Sequence, residues 1–186
     1  SKTDFNVEIV PGFVEPNIDW NVDDVTEVTV ENGDLQTALN SLGTGEYNKP
    51  GTYIFKLTED MTGVTRAAGT PAITITQKED YNIIIDGCGL KFDGTFNIYG
   101  DSRYSGTETL IFRNINFVHA DSDIDFIWSD NGKDEKMRYA HNVTVENCTF
   151  TGNATGTVVG MRLRQVYNLN IVNCVSGEGM FSLAQI

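Results

Sequence analysis

Apolar residues recur along this chain in a spaced pattern that repeats four times. In His141-Asn142-Val143-Thr144-Val145-Glu146-Asn147-Cys148-Thr149-Phe150 they alternate up to an asparagine and resume beyond it, and Tyr81 to Leu90, Glu108 to Phe117 and Tyr167 to Ser176 share the layout. Set in register, the copies give four apolar columns: Ile83, Leu110, Val143, Leu169; Ile85, Phe112, Val145, Ile171; Cys88, Ile115, Cys148, Cys174; and Leu90, Phe117, Phe150, Ser176. A turn-type column of Gly87, Asn114, Asn147 and Asn173 divides the second from the third. Positions two apart share one face of a strand, and Asn or Gly permits a bend, so the unit reads strand, bend, strand. Equivalent positions lie 27, 33 and 26 residues apart, a solenoid period too short to add a separate βαβ unit at each step.

A second apolar patch follows each unit: Phe96 and Ile98; Ile124 and Phe126; Val159, Met161 and Leu163; Phe181 and Leu183. These positions predict a further sheet of the same coil. Thr52 to Leu57 and Ala72 to Thr76 read as strands, with residues 62–71 as a small-residue connection. Leu35, Ala38, Leu39 and Leu42 follow the i, i+3, i+4, i+7 spacing and Gly43 can stop the turn, so a helix is predicted at about 34–42. Residues 1–30 are apolar without helical spacing and are broken by Pro11 and Pro16, which predicts an extended arm packed on the coil or on another subunit.

The columns resemble the right-handed parallel β-helix, the pectate-lyase-like fold, over residues 30 to 186. That resemblance implies an all-β, single-stranded solenoid at 31–186 whose first turn is plugged by the short helix. A solenoid needs covered ends, and Gly179 to Ile186 still reads as a turn of the coil, so the parent protein is expected to continue, or a partner to cover this end.

The charge of −13 and pI near 4.4 oppose nucleic acid and anionic membranes as partners, and equally oppose long-range attraction of a polyanion. No stretch reaches the length of a membrane span. The three cysteines share one column without metal-binding spacing, which predicts a ladder of buried thiols with Cys148 and Cys174 as neighbours. Both histidines, His119 and His141, adjoin strands and read as structural.

Candidate chemistry concentrates at 119–130. Asp121, Asp123 and Asp125 are candidate ligands for Ca2+ if the backbone curls there, since calcium takes several oxygen ligands. Asp125-Phe126-Ile127-Trp128-Ser129-Asp130 resembles the Asp-Phe-Ile-Phe-Gly-Asn segment of pectin methylesterases. The resemblance implies Asp125 as nucleophile, Arg162 or Arg164 as the orienting cation, and Asp101 as the second carboxylate. Ser129 stands where that family has Gly, and the upstream Gln-Asp pair and the Trp-x-Asp-His run of pectate lyases are absent. Trp128, Tyr99 and Tyr139 are candidate platforms for sugar rings, as are Tyr104 and Tyr167. The expectation is therefore a non-catalytic extracellular module, adhesin-like or virion-fibre-like. It would need no cofactor, bind carbohydrate or neighbouring subunits, and oligomerise through the arm or the carboxyl end. A lyase or esterase with its site near Asp125 and Arg162 is the alternative.

Overall fold

A computed structural model of the chain describes residues 3–8, 25–64, 73–100, 106–119, 124–129, 139–153 and 156–186. Strands β1 (Thr3–Glu8) and β2 (Val25–Val28) precede helix α1 (Leu35–Asn40), and the coil follows. Its first turn holds β3 (Gly51–Lys56), β4 (Met61–Val64) and β5 (Ile73–Thr76); the second, β6 (Tyr81–Asp86), β7 (Lys91–Gly94) and β8 (Phe96–Tyr99). The third holds β9 (Leu110–Arg113), β10 (Asn116–Val118) and β11 (Ile127–Trp128); the fourth, β12 (Ala140–Glu146), β13 (Thr149–Thr151) and β14 (Val158–Arg162). In the last turn β15 (Val166–Ser176) runs unbroken across two faces before β16 (Met180–Gln185). The chain is thus a parallel β-solenoid of three faces: β2-β3-β6-β9-β12-β15, then β4-β7-β10-β13-β15, then β5-β8-β11-β14-β16.

The first two apolar columns stand as expected. Ile83, Leu110, Val143 and Leu169 pair in register from turn to turn, as do Ile85, Phe112, Val145 and Ile171, and all are buried. The other two columns differ in the second turn. Phe92, not Leu90, pairs with Phe117, which pairs in turn with Phe150 and stacks on it at 4.8 Å. Leu90 takes the level assigned to Cys88, since its carbonyl accepts from Asn116 N as that of Ile115 accepts from Thr149 N. The reason is a longer bend. Gly87-Cys88-Gly89 closes its own turn through Leu90 N to Gly87 O, at 2.8 Å, and turns Cys88 to solvent. Only Cys148 and Cys174 are buried thiols.

The asparagine column has a conformational cause. Asn114, Asn147 and Asn173 all have φ of 52–54°, the left-handed region that asparagine tolerates better than other side-chain-bearing residues, and Cys88 adopts the same φ in its turn. Asn147 is exposed, and side-chain hydrogen bonds between turns run through the strand starts. Asn82 donates to Thr52 Oγ1 and accepts from Thr109 N, while Asn168 donates to Asn142 Oδ1 at 3.0 Å.

The third face begins one residue later than the pattern indicated in the third turn: Ile127 pairs with Phe96 and Met161, Phe126 is buried in the bend before it, and Ile124 is only half-buried. In β16, Phe181 is the additional residue of a bulge and points outward, 68% exposed, so it leaves the inward column. Residues 62–64 are strand, not connection.

Both ends of the coil are covered in part. Helix α1 is capped by Asp34, whose carboxylate accepts from Thr37 N and Oγ1, and it buries Leu35, Ala38 and Leu39. Its Gln36 side chain pairs with the edge of β5 as a peptide would, accepting from Thr74 N and donating to Thr74 O. At the other end β1 adds antiparallel to β15, while β2 lies beside β3 at the first turn.

Two outcomes test this arrangement. Cys88→Ser should melt within about 2 °C of the parent, whereas Ile115→Ser should cost ~2–4 kcal/mol, read by thermal or urea unfolding; equal losses would contradict the corrected register. Asp86 supplies a pH dependence. Burial raises its carboxyl, but hydrogen bonds from Cys88 N, Arg113 Nε and Asn114 Nδ2 outweigh that and hold it below the ordinary value. A depressed folded value contributes stability above the ordinary aspartate range, lost as pH falls through it. Asp86→Asn should therefore lower the melting point at pH 7, and the deficit should shrink steadily below about pH 4.

Candidate functional site

In-register pairing on the third face lines up Thr74, Asn97, Trp128, Arg162 and Gln185, one from each turn. With strands spaced 4.7–4.9 Å apart, the column is about 19 Å long. Trp128, Arg162 and Gln185 are half-buried, and Asn97 is buried with its Nδ2 donating to the Tyr99 hydroxyl at 2.9 Å. An indole thus stands between an amide and a guanidinium at fixed backbone spacing.

The guanidinium is held from two sides. Arg162 Nε donates to Asp125 Oδ2 at 2.5 Å, and Nη1 donates to Gln185 Oε1 at 2.6 Å. Arg164, in the exposed turn after β14, reaches the same Gln185 oxygen at 3.3 Å. Of the residues proposed from sequence, the structure therefore brings Asp125, Arg162 and Arg164 into one network and sets Trp128 beside it. Tyr99 ends β8 on the same face. Tyr139 lies round the corner, where it pairs with Tyr167 at 5.1 Å; its carbonyl packs against Gly100, at a distance that leaves no room for a side chain there. Asp101, Asp121 and Asp123 lie outside the described residues.

His119 fixes the bend that carries Asp125. Its ring is fully buried and stacks on Phe126 at 3.9 Å, with Nε2 at 2.7 Å from Ile124 O and Nδ1 at 2.9 Å from Asp93 Oδ1. The residues on either side of Asp125 are thereby held by one side chain. His141 is equally enclosed: its Nε2 is 2.8 Å from Glu108 Oε1, both side chains are 1% exposed, and Gln77 pairs with its backbone N–H and C=O. Both histidines brace corners of the coil.

The sequence did not indicate Gln185, Asn97 or the bracing of Asp125 by His119 and Asp93. Gln185 follows Arg162 by 23 residues, close to the 26-residue step of the last two copies, and that spacing was the available signal. Among the described residues no group of three or more His, Cys, Asp or Glu side chains converges as a metal site. The carboxylate of Asp125, a candidate calcium ligand, is engaged by Arg162.

The chain matches no family model, no curated protein and no solved structure. The residues of this face are therefore the ground for a functional reading.

Asp125→Asn and Arg162→Gln should both fold, because the pair is partly exposed, at 14% and 25%. A double-mutant cycle of unfolding should give a coupling of about 0.5–1 kcal/mol. A coupling above about 3 kcal/mol would make the pair a folding element and not a feature of the face.

Proposed function

We propose that this chain is a non-catalytic carbohydrate-binding module of the pectate-lyase-like β-helix type. It would act outside the cell, in an adhesin or a virion fibre. The observation that carries the reading is the third-face column: Trp128 offers a ring for a sugar to stack on, while the half-buried Arg162 and Gln185 supply hydrogen-bonding groups on the two following turns. Backbone pairing fixes their spacing, so little conformational freedom is lost on binding. The formal charge of −13 selects the ligand class. A neutral glycan chain meets no repulsion, whereas a polyuronate would have to approach a strongly acidic surface.

Trp20 and Trp128 are the only tryptophans, so a Trp20→Phe variant leaves Trp128 as the sole indole reporter. Titration of that variant with a panel of soluble neutral polysaccharides should change its fluorescence saturably with at least one. Trp128→Ala should weaken that binding at least tenfold, measured by calorimetry, while leaving the melting point nearly unchanged. No binding across the panel, or binding indifferent to Trp128→Ala, would sink the reading.

One observation favours the alternative, a carbohydrate esterase. Asp125 accepts from Arg162 on the following turn, which is the relation implied for nucleophile and orienting arginine in pectin methylesterases. Release of methanol from methyl-esterified pectin, abolished by Asp125→Asn, would establish this alternative over the binding module.

A further inference from the structure

Cys148 and Cys174 stand on consecutive turns of the coil, at the same level. Val175 N donates to Cys148 O at 3.0 Å, and Thr149 pairs with Val175, so the two α-carbons are one strand spacing apart. That spacing, 4.7–4.9 Å, falls inside the 4.4–6.8 Å range of bonded cysteines. Both side chains are fully buried at neighbouring positions of one column, and each thiol donates to a backbone carbonyl, Cys148 to Glu146 O at 3.3 Å and Cys174 to Val145 O at 3.4 Å. Packing alone does not call for sulfur here, because Leu90 and Ile115 fill the same column in the turns above. Cys88, exposed in the wider bend of the second turn, takes no part.

We propose that Cys148 and Cys174 form a disulfide that staples the last two turns together when the protein meets a small-molecule disulfide such as oxidised glutathione. The Cys174 thiolate attacks one sulfur of the oxidant, breaking its S–S bond and releasing one glutathione thiolate. Cys148, as thiolate, then attacks Cys174 Sγ, forms the internal S–S bond and expels the second glutathione. Two protein thiols are oxidised and one small disulfide is reduced to two thiols.

The order of attack follows from the surroundings. Burial pushes the Cys148 thiol well above its usual range, while the Cys148 side chain beside it lowers that of Cys174. Cys174 is also nearer the end of the coil. The strand beyond it is β1, whose Phe5 stands opposite Cys174 in the antiparallel register. Displacing that one strand opens the last turn without unwinding the coil. Reactivity should therefore be slow in the closed protein and limited by release of β1.

The test uses the full chain carrying Cys88→Ser, so that the exposed thiol forms no intermolecular bond. After incubation with oxidised glutathione, the protein is denatured, treated with iodoacetamide and weighed by mass spectrometry. The expected product has lost two hydrogens, carries no alkyl group and yields a linked Cys148–Cys174 peptide; the reduced sample takes up two alkyl groups. Closing a loop of this length should raise the melting midpoint by about 5–10 °C, reversibly with a reducing agent. A Cys148→Ala variant should lose that rise and stop at the glutathione adduct. Alkylation of both thiols after oxidation of the Cys88→Ser chain, including under conditions that release β1, overturns the proposal. So does a glutathione adduct that persists on Cys174 while Cys148 is present.

Discussion

In-register parallel pairing between turns is the constraint on which the rest depends. Each strand is matched residue for residue with the next turn, so an inward residue has inward neighbours above and below. A slip of one position would turn a whole column of core residues to solvent. The second turn shows how strongly this holds. Its bend is two residues longer than that of the third, with Gly87-Cys88-Gly89 in place of a single asparagine, yet the chain returns to register with Phe92 opposite Phe117. Pairing and the stacked rings of the core set the register, and the bend adapts to them. The asparagines of the other turns supply a backbone shape, and the hydrogen-bonded amides stack elsewhere, at Asn142 and Asn168.

A stack of this kind is weakest at its ends, where backbone groups have no next turn. Two different devices answer that. Gln36 of α1 offers the edge of β5 a side-chain amide in place of a peptide group. At the far end β1 supplies a whole strand. Because β1 and β2 are separated by 16 residues yet lie at opposite ends of the coil, the first part of the chain links the first turn to the last. Nearest-neighbour stacking alone would not couple those ends.

Much of the fold was legible because periodicity reports burial directly. Val143, Val145 and their partners alternate as strand residues must, and Leu35, Ala38 and Leu39 keep helical spacing. The misplacements have physical causes that spacing does not encode. Cys88 is apolar enough to fill a column, but the glycines on both sides allow a wider bend that ejects it. Phe181 keeps the parity of Leu183, yet a bulge gives it no place inside. At the site, Asp125, Arg162 and Trp128 were identifiable by residue type, and stacking explains why they meet. Gln185 and His119 were not, because a single uncharged amide carries no signature, and a histidine that braces a bend looks like any other histidine beside a strand.

The same contacts bear on acid–base chemistry on this face. An ester hydrolase of the carboxylate type needs one ionised carboxylate and a second able to exchange a proton. Asp125, held by Arg162, has the setting of the first; among the described residues the other carboxylates near this region already have imidazole partners, Asp93 with His119 and Glu108 with His141. Taking one of them for proton transfer would break a contact that fixes a bend or a corner. Binding asks for no such sacrifice. It needs only that the indole and the polar groups beside it keep their spacing, and the backbone pairing that builds the coil already enforces this.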